Sequence, residues 1–582
     1  MTPPAEAPLL DPALPACDLQ ADFPFDYARY LASGAPMGRL PGHRAGARVA
    51  VIGCGGAGLT AAYELMRAGC RPVLYEAERD PAGPGGVRLG GRMYSVRLDR
   101  ADSAVAELGC MRFPESARLL RHYAAEFGLR WRPSRDNYTP HTPSTVLEVD
   151  GRRYRARRLG DLYPQNPEMA AAHRGWLAAL HRVGVDDLRR ATAARDLGEL
   201  RRLWARIVQR YETWSFYRFL RDEEGAGLSH GQAALLGTMG IGAAQWDSFF
   251  DLSMLEILRL VLTTEGSPLY YPQEGISALA DGFWTRRTDT RAAGPRSLAD
   301  LHHGRPRRAV TALEVPDDPA RGVCVHDEDG RAEWYAAAVF TPQLHLLQTT
   351  VALRGADGGG SPFGPRLWRA VRRLSYWQSA KTALLTEEPF WQGTTMDGVT
   401  LTDRLPRAAY TVDYGPPHAP GGRRAVLELS YTWGQDAMKV AASPLEERLR
   451  LFLDDLGRIH PDVAGELRRQ ADRGRAVTIS WENQRNFRGL SRFSRPGEYT
   501  YQRDLFSHFM KDFSGTAAVP GEAPNALFLA GDDTAWSAGW LDHALASGIN
   551  AAWGVLRLLG ADTDPDRPGP GDMWLSQYAA AP

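Results

Sequence analysis

A short run of glycines near the start of the chain constrains its fold more strongly than any other feature. The apolar segment RVAVI, residues 48–52, is followed by Gly53, Gly55 and Gly58, which open a segment with helical spacing. A second apolar segment then ends at Glu76. A strand, a glycine-rich turn, a helix and a second strand ending in an acidic residue are typical of the βαβ unit that binds dinucleotides.

Each of these residues has a separate task in such a unit. Gly53 permits the turn, Gly55 lets the backbone approach a pyrophosphate, and Gly58 lets helix and strand pack closely. The helix N-terminus offers amide N–H groups and the positive end of its dipole to the phosphates. Glu76 accepts hydrogen bonds from ribose hydroxyls and repels a 2′-phosphate, so the unit predicts a dinucleotide without one.

The length and charge of the chain narrow the remaining choices. At 582 residues the chain is well above the size of a typical single domain, which predicts two intertwined domains. Its 69 basic residues equal its 69 acidic ones, which argues against nucleic acid or an anionic membrane as the main partner. Only three of the basic residues are lysines, so a lysine at a functional position is conspicuous.

The cysteines and the N-terminal segment indicate a reducing compartment. The five cysteines are odd in number and scattered, without a CxxC pair, which disfavours a disulfide framework or a metal site. The N-terminal segment lacks the basic and apolar regions of a secretory signal. No stretch approaches the roughly eighteen consecutive apolar residues of a membrane span. We therefore expect a cytoplasmic protein with no metal and no membrane partner.

The order of elements predicts an α/β fold in which one nucleotide-binding domain is assembled from separated segments. Strand–helix alternation occurs near both ends of the chain, and helical spacing dominates the residues between about 114 and 262. The predicted segments are an N-terminal arm lying on the surface (1–45), three parts of the nucleotide-binding domain (46–112, 266–355 and 521–562), a helical insertion (113–265), a mixed-sheet substrate domain (356–520) and a tail (563–582).

Two further segments distinguish FAD from NAD. Gly91 and Arg92 follow the second strand, and a glycine-flanked arginine can neutralise a pyrophosphate. Gly531 and Asp532 follow a buried strand near the far end of the chain and suit ribityl hydroxyls. In this order the segments resemble the FAD-binding pattern of the amine-oxidase and amino-acid-oxidase superfamily. We therefore predict FAD on a Rossmann-type domain.

Four more segments in the same chain order carry a closer resemblance. They are ELGCMRFP at 107–114, YPQEGISAL at 271–279, SYTW at 430–433 and AGW at 538–540. They resemble bacterial flavin-dependent L-amino-acid oxidases and 2-monooxygenases over about residues 46–560. The resemblance implies hydride transfer from the Cα of an L-amino acid to flavin N5, with O2 as acceptor, in a homodimer. It leaves open whether the products are a 2-oxo acid, ammonia and H2O2 or an amide and CO2.

The resemblance also assigns roles around the substrate. Arg112 matches the arginine that binds the carboxylate, for which a guanidinium fork is suited; a pyrophosphate contact or a buried salt bridge is the alternative. Tyr431 supports the carboxylate, unless it is an ordinary strand tyrosine. The carbonyl near Gly539 receives the amino group. The ring of Trp540 forms one wall of the site, and Trp481 is a second candidate for such a wall.

Lys381 lies in an otherwise apolar, strand-like segment, where an ammonium is costly unless it has a polar partner. In the superfamily the equivalent lysine approaches flavin N5 through a water; the alternative is an exposed lysine on an edge strand. The same resemblance adds Met111 and Val310 to the residues that contact the cofactor, together with Arg112 and Trp540.

The substrate side chain is the least constrained feature. Where relatives have Val-Glu-Gly after the tryptophan of AGW, this chain has Leu-Asp-His543. Before the second helical segment, where relatives have a glycine-rich stretch, Asp247 or Asp251 can pair with a basic side chain, whereas Trp246, Phe249 and Phe250 can line an aromatic pocket. All are also plausible as ordinary loop or core residues. A large hydrophobic or aromatic amino acid is favoured, and a basic one is the alternative. A carboxylate-free amine as substrate and a non-catalytic FAD protein are the competing functions.

Overall fold

The computed structural model describes residues 10–97, 104–240, 245–265, 267–290, 294–355, 361–386, 388–414, 425–473, 475–511 and 525–578. The segment boundaries expected at residues 266, 356 and 521 lie outside the described residues. None of the described helices is long and apolar enough to cross a membrane.

A four-stranded parallel sheet forms the centre of the nucleotide-binding domain. Its strands, in spatial order, are Arg71–Tyr75, Arg48–Ile52, Ala337–Phe340 and Leu527–Leu529. They are short and almost fully buried, as expected for a parallel sheet covered on both faces. The prediction of a Rossmann-type domain built from separated segments is confirmed, because neighbouring strands of this sheet come from three distant parts of the chain.

Two helices approach the same edge of this sheet. Gly56–Arg67 follows the first strand, and Leu541–Leu558 follows the last one. They pack closely, since a Cβ at Gly548 would lie 2.4 Å from the carbonyl oxygen of Ala57. Both helices therefore present their N-termini near the glycine turn. A second sheet of the domain has the order Ala332–Tyr335, Val323–Asp327, Val310–Glu314 and Ala352–Arg354.

A seven-stranded sheet forms the substrate domain. Its order is Ala476–Ser480, Ser379–Thr386, Ala425–Trp433, Ala408–Asp413, Val399–Thr402, Thr145–Val149 and Arg152–Ala156. Val399–Thr402 and Thr145–Val149 run parallel and the other neighbours antiparallel, so the predicted mixed sheet is confirmed. The last two strands come from the segment that we expected to be helical. Helices Gly434–Ala441, Leu445–Ile459 and Ala464–Asp472 lie in the chain between two strands of this sheet, Ala425–Trp433 and Ala476–Ser480.

The helical insertion begins after these two strands. Its helices are Pro167–Val183, Val185–Ala193, Leu197–Tyr211, Phe216–Arg221, His230–Met239 and Met254–Thr264. Side chains cap several N-termini: Asn166 accepts from the amide of Glu168, and Asp196 accepts from the amide of Glu199. The apolar faces share a core that contains Trp176. The predicted helical insertion is therefore confirmed.

The expectation that the N-terminal arm lies on the surface is wrong. Phe23 is 1% exposed, and Asp22 accepts hydrogen bonds from Arg259 at 2.8 Å and from Tyr499 at 2.6 Å. The carboxylate of Asp22 thus satisfies groups of the helical insertion and of a helix near the end of the chain. Buried ion pairs of this kind hold their elements together because a lone buried charge is costly.

Shorter elements connect these parts. Three small sheets pair Ser95–Val96 with Ala106–Glu107, Tyr376–Trp377 with Ser491–Arg492, and Thr288–Asp289 with Pro295–Arg296. In a fourth, the strand Leu269–Pro272 pairs with both Phe113–Pro114 and Trp131–Pro133. The remaining α-helices are Tyr27–Leu31, Arg118–Glu126, Ser277–Thr285, Leu298–Leu301, Leu346–Thr349, Pro365–Arg373, Tyr499–Phe506 and Pro570–Tyr578.

Candidate active site

A cavity of about 550 Å³ lies at the carboxyl ends of the parallel strands. Ligands of doubly wound sheets bind at this edge. The residues expected at the cofactor or the substrate that line it are Gly53, Gly55, Glu76, Gly91, Arg92, Val310, Gly531, Asp532, Gly539 and Trp540. Cys110, which the sequence analysis did not single out, lines it as well. Gly58, Met111, Arg112, Lys381 and Tyr431 lie outside its lining.

The glycine turn has the shape that a bound pyrophosphate requires. Gly53 has a φ of +93°, a left-handed conformation that side chains rarely adopt. A Cβ at Gly58 would lie 1.9 Å from the carbonyl oxygen of Gly53, so helix and strand meet here only because residue 58 is glycine. The backbone at Gly55 is open towards the cavity, with the carbonyl oxygen of Gly90 as the nearest obstacle to a Cβ at 3.9 Å. The turn therefore fits FAD.

Glu76 is fixed at the end of the second strand. Its Oε2 accepts from the amide of Cys54 at 2.8 Å, and its Oε1 accepts from the amides of Ala77 and Glu78 at 2.8 Å each. Burial raises the pKa of the Glu76 carboxyl, while the backbone hydrogen bonds act in the opposite direction. This anchored carboxylate lines the cavity, as an acceptor for ribose hydroxyls would.

Asp532 connects three of the predicted cofactor segments. Its Oδ1 accepts from the amide of Gly539 at 2.9 Å, and its Oδ2 lies 3.4 Å from Nη1 of Arg92. The amide of Arg492 donates to the same Oδ2 at 3.2 Å. Asp533 is a neighbour that the sequence analysis missed: its Oδ2 accepts from the amide of Leu344 at 2.7 Å. The two consecutive aspartates after Gly531 are the sequence feature from which Asp533 could have been identified.

Arg112 is buried between an acid and an aromatic ring. Its Nη1 donates to Asp136, and its guanidinium carbon lies 4.1 Å from the centre of the Tyr410 ring. Burial raises the pKa of the Tyr431 hydroxyl, and the positive charge of Arg112 acts in the opposite direction. Asp136 and Tyr410 fix the plane of the guanidinium and were not found from the sequence, because they lie in unrelated segments.

Lys381 lies on an interior strand of the substrate sheet and is 1% exposed, so the alternative of an exposed edge-strand lysine is wrong. Its Nζ donates to the carbonyl oxygens of Glu107 at 3.1 Å and Gly109 at 2.8 Å, and to Sδ of Met111 at 3.2 Å. The ammonium is therefore attached to the ELGCMRFP loop, of which Cys110 lines the cavity.

An aromatic cluster joins Tyr431 to Gly539. The ring centroids of Tyr431 and Trp433 are 5.0 Å apart, and those of Trp433 and Phe249 are 5.3 Å apart. Phe249 continues to Phe493 at 5.8 Å, and a Cβ at Gly539 would lie 3.2 Å from the Phe493 ring. We call these four rings, Tyr431, Trp433, Phe249 and Phe493, the aromatic cluster.

Other expected residues lie away from the cavity. Trp481 is fully buried behind the ELGCMRFP loop and donates from Nε1 to the carbonyl oxygen of Leu108 at 3.0 Å. Asp247 forms an ion pair with Arg407, which is also 3.1 Å from a carboxylate oxygen of Asp436.

Four more residues considered from the sequence do not line the cavity. Trp246 packs on Trp176 in the helical core, Phe250 packs on Tyr217, and Asp251 is exposed. His543 is buried beside the carbonyl of Ser537, and burial lowers the pKa of its ring to about 4.

Comparisons with known proteins agree with this geometry. The profile of the family described as flavin containing amine oxidoreductase matches residues 57–556. Tryptophan 2-monooxygenase of Pseudomonas savastanoi is 28% identical over 582 residues, covering 94% of this chain and 96% of that protein. The L-amino-acid oxidase of Bothrops pauloensis is 24% identical over 524 residues, covering 88% of this chain and 89% of that protein.

Solved structures show the same fold. Putrescine oxidase bound to putrescine has a TM-score of 0.61 at 18% identity, covering 88% of this chain and 99% of that chain. Cyclohexylamine oxidase from Brevibacterium oxydans IH-35A has a TM-score of 0.59 at 17% identity, with the same coverage. The predictions of the family, of FAD and of an oxidoreductase are confirmed. This chain belongs to the flavin containing amine oxidoreductase family, and its cofactor is FAD.

Proposed function

We propose that the protein oxidises the Cα–N bond of an L-amino acid with a large hydrophobic or aromatic side chain, using O2 as the acceptor. The aromatic cluster is the observation that carries the proposal. It extends from Tyr431, the expected carboxylate partner, to Gly539, the expected partner of the amino group. Aromatic rings placed between these two polar contacts suit an apolar substrate side chain.

Arg112 supports an amino acid over a carboxylate-free amine. Burying a guanidinium costs free energy, and the ion pair with Asp136 and the contact with the Tyr410 ring offset that cost. A buried arginine with a fixed plane is suited to a carboxylate, since its N–H groups match two oxygens. An amine without a carboxylate needs no such group.

The residues of the chain would bind and orient the substrate. Bound FAD would accept the hydride that leaves Cα. Arg112 and Tyr431 would hold the carboxylate, the carbonyl of Gly539 would accept a hydrogen bond from the amino group, and Trp540 would limit the space beside the cavity. Fixing the reacting atoms in this way contributes by proximity and orientation. The names of the relatives, tryptophan 2-monooxygenase and L-amino-acid oxidase, support the same substrate class.

Anaerobic mixing of the holoenzyme with matched substrates tests the proposal. L-tryptophan and L-phenylalanine are expected to bleach the flavin absorbance, whereas tryptamine and phenylethylamine, which lack only the carboxylate, leave it unchanged. Reduction by the amines alone would contradict the proposal, and reduction by neither group would favour a non-catalytic FAD protein. Mass spectrometry of the aerobic products then separates the 2-oxo acid from the amide.

Two neighbouring phenylalanines provide a matched test of the side-chain preference. Phe249→Ala is expected to lower kcat/KM for L-tryptophan at least ~10-fold more than for L-alanine, because a buried aromatic contact contributes over 1 kcal/mol. Phe250→Ala serves as the control, since Phe250 packs on Tyr217 outside the aromatic cluster. L-lysine oxidised faster than L-tryptophan would instead support the basic substrate. The homodimer and the cytoplasmic location stay predictions; light scattering of the purified protein tests the first.

A further inference from the structure

A β-bulge brings an acidic side chain to Lys381. Along the paired strands, Thr382 lies opposite Ser430, whereas Ala383 lies opposite Glu428, so Leu429 is an extra residue. Regular pairing would place Glu428 on the other face of the sheet, because side chains alternate between faces. The bulge shifts Glu428 onto the face of Lys381, and bulges near functional sites redirect side chains in this way.

The contacts of Lys381 match those of an ammonium. Its Nζ donates to three acceptors, the carbonyl oxygens of Glu107 and Gly109 and the sulfur of Met111. A neutral amine has two N–H donors, whereas an ammonium has three. The side chain is 1% exposed, so this positive charge is removed from water and requires a negative partner.

Glu428 meets that requirement. Its Oε1 lies 3.8 Å from Nζ of Lys381, the two side chains are 4% and 1% exposed, and Oε1 has no hydrogen-bond partner in the described part of the chain. We propose that Glu428 is the buried counter-ion of Lys381, a positioning residue that keeps the ammonium charged and attached to the ELGCMRFP loop beside the flavin.

Several other titratable groups act on this pair. Arg112 and Glu107 face Lys381 with opposite signs, and Arg112 also faces Glu428. Four more groups interact electrostatically with the pair. Cys110 interacts with Lys381, and three tyrosines interact with Glu428, namely Tyr410, Tyr414 and Tyr431. Two acidic residues, Glu107 and Glu428, and two basic residues, Lys381 and Arg112, therefore lie around the loop. Glu428 is the acid whose carboxylate is nearest the Lys381 ammonium.

The effect of the counter-ion has a definite sign. Desolvation lowers the pKa of Lys381, and the negative charge of Glu428 opposes that effect. Glu428→Gln retains the size of the side chain and removes its charge. The ammonium of Lys381 is then expected to lose its proton at a pH at least about one unit lower, which is a tenfold change in its dissociation constant.

The scarcity of lysine makes a direct measurement practical. The chain has three lysines, Lys381, Lys439 and Lys511, so protein labelled with 13C at lysine Cε gives three signals whose shifts report the charge of each amine. Lys381→Met assigns the signal of interest by its loss. The holoenzyme is titrated from about pH 6 to 10 without substrate, so the result depends on the pair and not on the proposed substrate.

Glu482→Gln is the matched control. Glu482 is a half-buried glutamate whose Oε1 lacks a partner in the described part of the chain, and its Oε2 accepts from the amide of Ser379. The Glu482→Gln substitution is expected to leave the midpoint of the Lys381 titration unchanged. An equal midpoint in wild type and Glu428→Gln would overturn the proposal. If Glu428→Gln does not fold, the wild type alone decides, since a neutral Lys381 at pH 7 would also overturn it.

Discussion

The Lys381 ammonium lies 4.5 Å from the centre of the Tyr431 ring, and the two residues are direct partners on neighbouring antiparallel strands. One residue is expected to act at the flavin and the other at the substrate carboxylate. Their pairing means that the two sites share one piece of sheet, so a change on either strand affects both. Substitutions that retain size and charge are therefore the informative ones.

Arg112→Lys retains a positive charge beside Asp136 but removes the guanidinium fork. We expect kcat/KM for the amino acid to fall roughly 100-fold, because a buried, hydrogen-bonded charge contact is worth about 2–5 kcal/mol. The ratio of flavin to protein absorbance is expected to stay constant. Arg135→Lys is the control, since Arg135 pairs with Asp397 away from the cavity lining. Equal losses in both variants would contradict a carboxylate role for Arg112.

Gly58→Ala is expected to abolish FAD binding. The added Cβ would meet the backbone oxygen of Gly53 at 1.9 Å, and a backbone atom cannot move aside without changing the turn. We expect a loss of about 3 kcal/mol or more in the free energy of unfolding. Gly231→Ala is the control, because a Cβ at this helical position meets nothing within 4 Å. FAD content and Tm of the two variants measure the difference.

Asp247→Asn tests whether Asp247 selects a basic substrate. Because the carboxylate is already paired with Arg407, we expect the ratio of kcat/KM for L-lysine and L-tryptophan to stay constant within error. The free energy of unfolding is expected to fall by roughly 1–3 kcal/mol, since a charged hydrogen bond is lost. A selective loss of L-lysine oxidation would show that Asp247 contacts the substrate.

His543 is expected to destabilise the protein in acid. Its pKa is about 4 in the folded protein, below the ordinary value near 6.5, so the unfolded chain binds the proton more readily. Above pH 6.5 the ring of His543 is neutral in both states, and its contribution to the free energy of unfolding is fully present. That contribution is lost as the pH falls from 6.5 to 4, because the unfolded chain binds the proton first. The loss reaches at most roughly 3 kcal/mol.

His543→Gln should therefore reduce the difference in stability between pH 7.5 and pH 5. Denaturant unfolding at the two pH values measures it, and His43→Gln, at an exposed residue, provides the background. If the His543→Gln protein loses as much stability as the wild type, another group causes the acid sensitivity.

The cofactor turns could be predicted from the sequence because their requirements are local. Gly53 and Gly58 are five positions apart, and the clash that a side chain would cause occurs between them. Glu76 likewise binds amides of its own neighbours, Ala77 and Glu78. Short-range constraints of this kind leave a pattern in the chain.

The environment of Lys381 and Arg112 could not be predicted in the same way. Alternation along the strand places Glu428 on the wrong face, and the bulge at Leu429 is visible only in the paired strands. The prediction for the N-terminal arm was wrong for a related reason. Its composition suggested a surface segment, but Asp22 binds Arg259, which lies 237 residues further along the chain. Such contacts depend on tertiary packing.

The strand order of the parallel sheet also has a consequence during synthesis. Arg48–Ile52 emerges well before Leu527–Leu529 and the helix Leu541–Leu558, which packs on Gly56–Arg67. At about 5–20 residues per second, the ribosome separates them by roughly 25–95 s. During that interval the cavity lacks its last lining residues, which include Gly531, Asp532, Gly539 and Trp540. We therefore expect FAD to be bound only after these C-terminal lining residues have been synthesised, so that a product truncated before Leu527 lacks its cofactor.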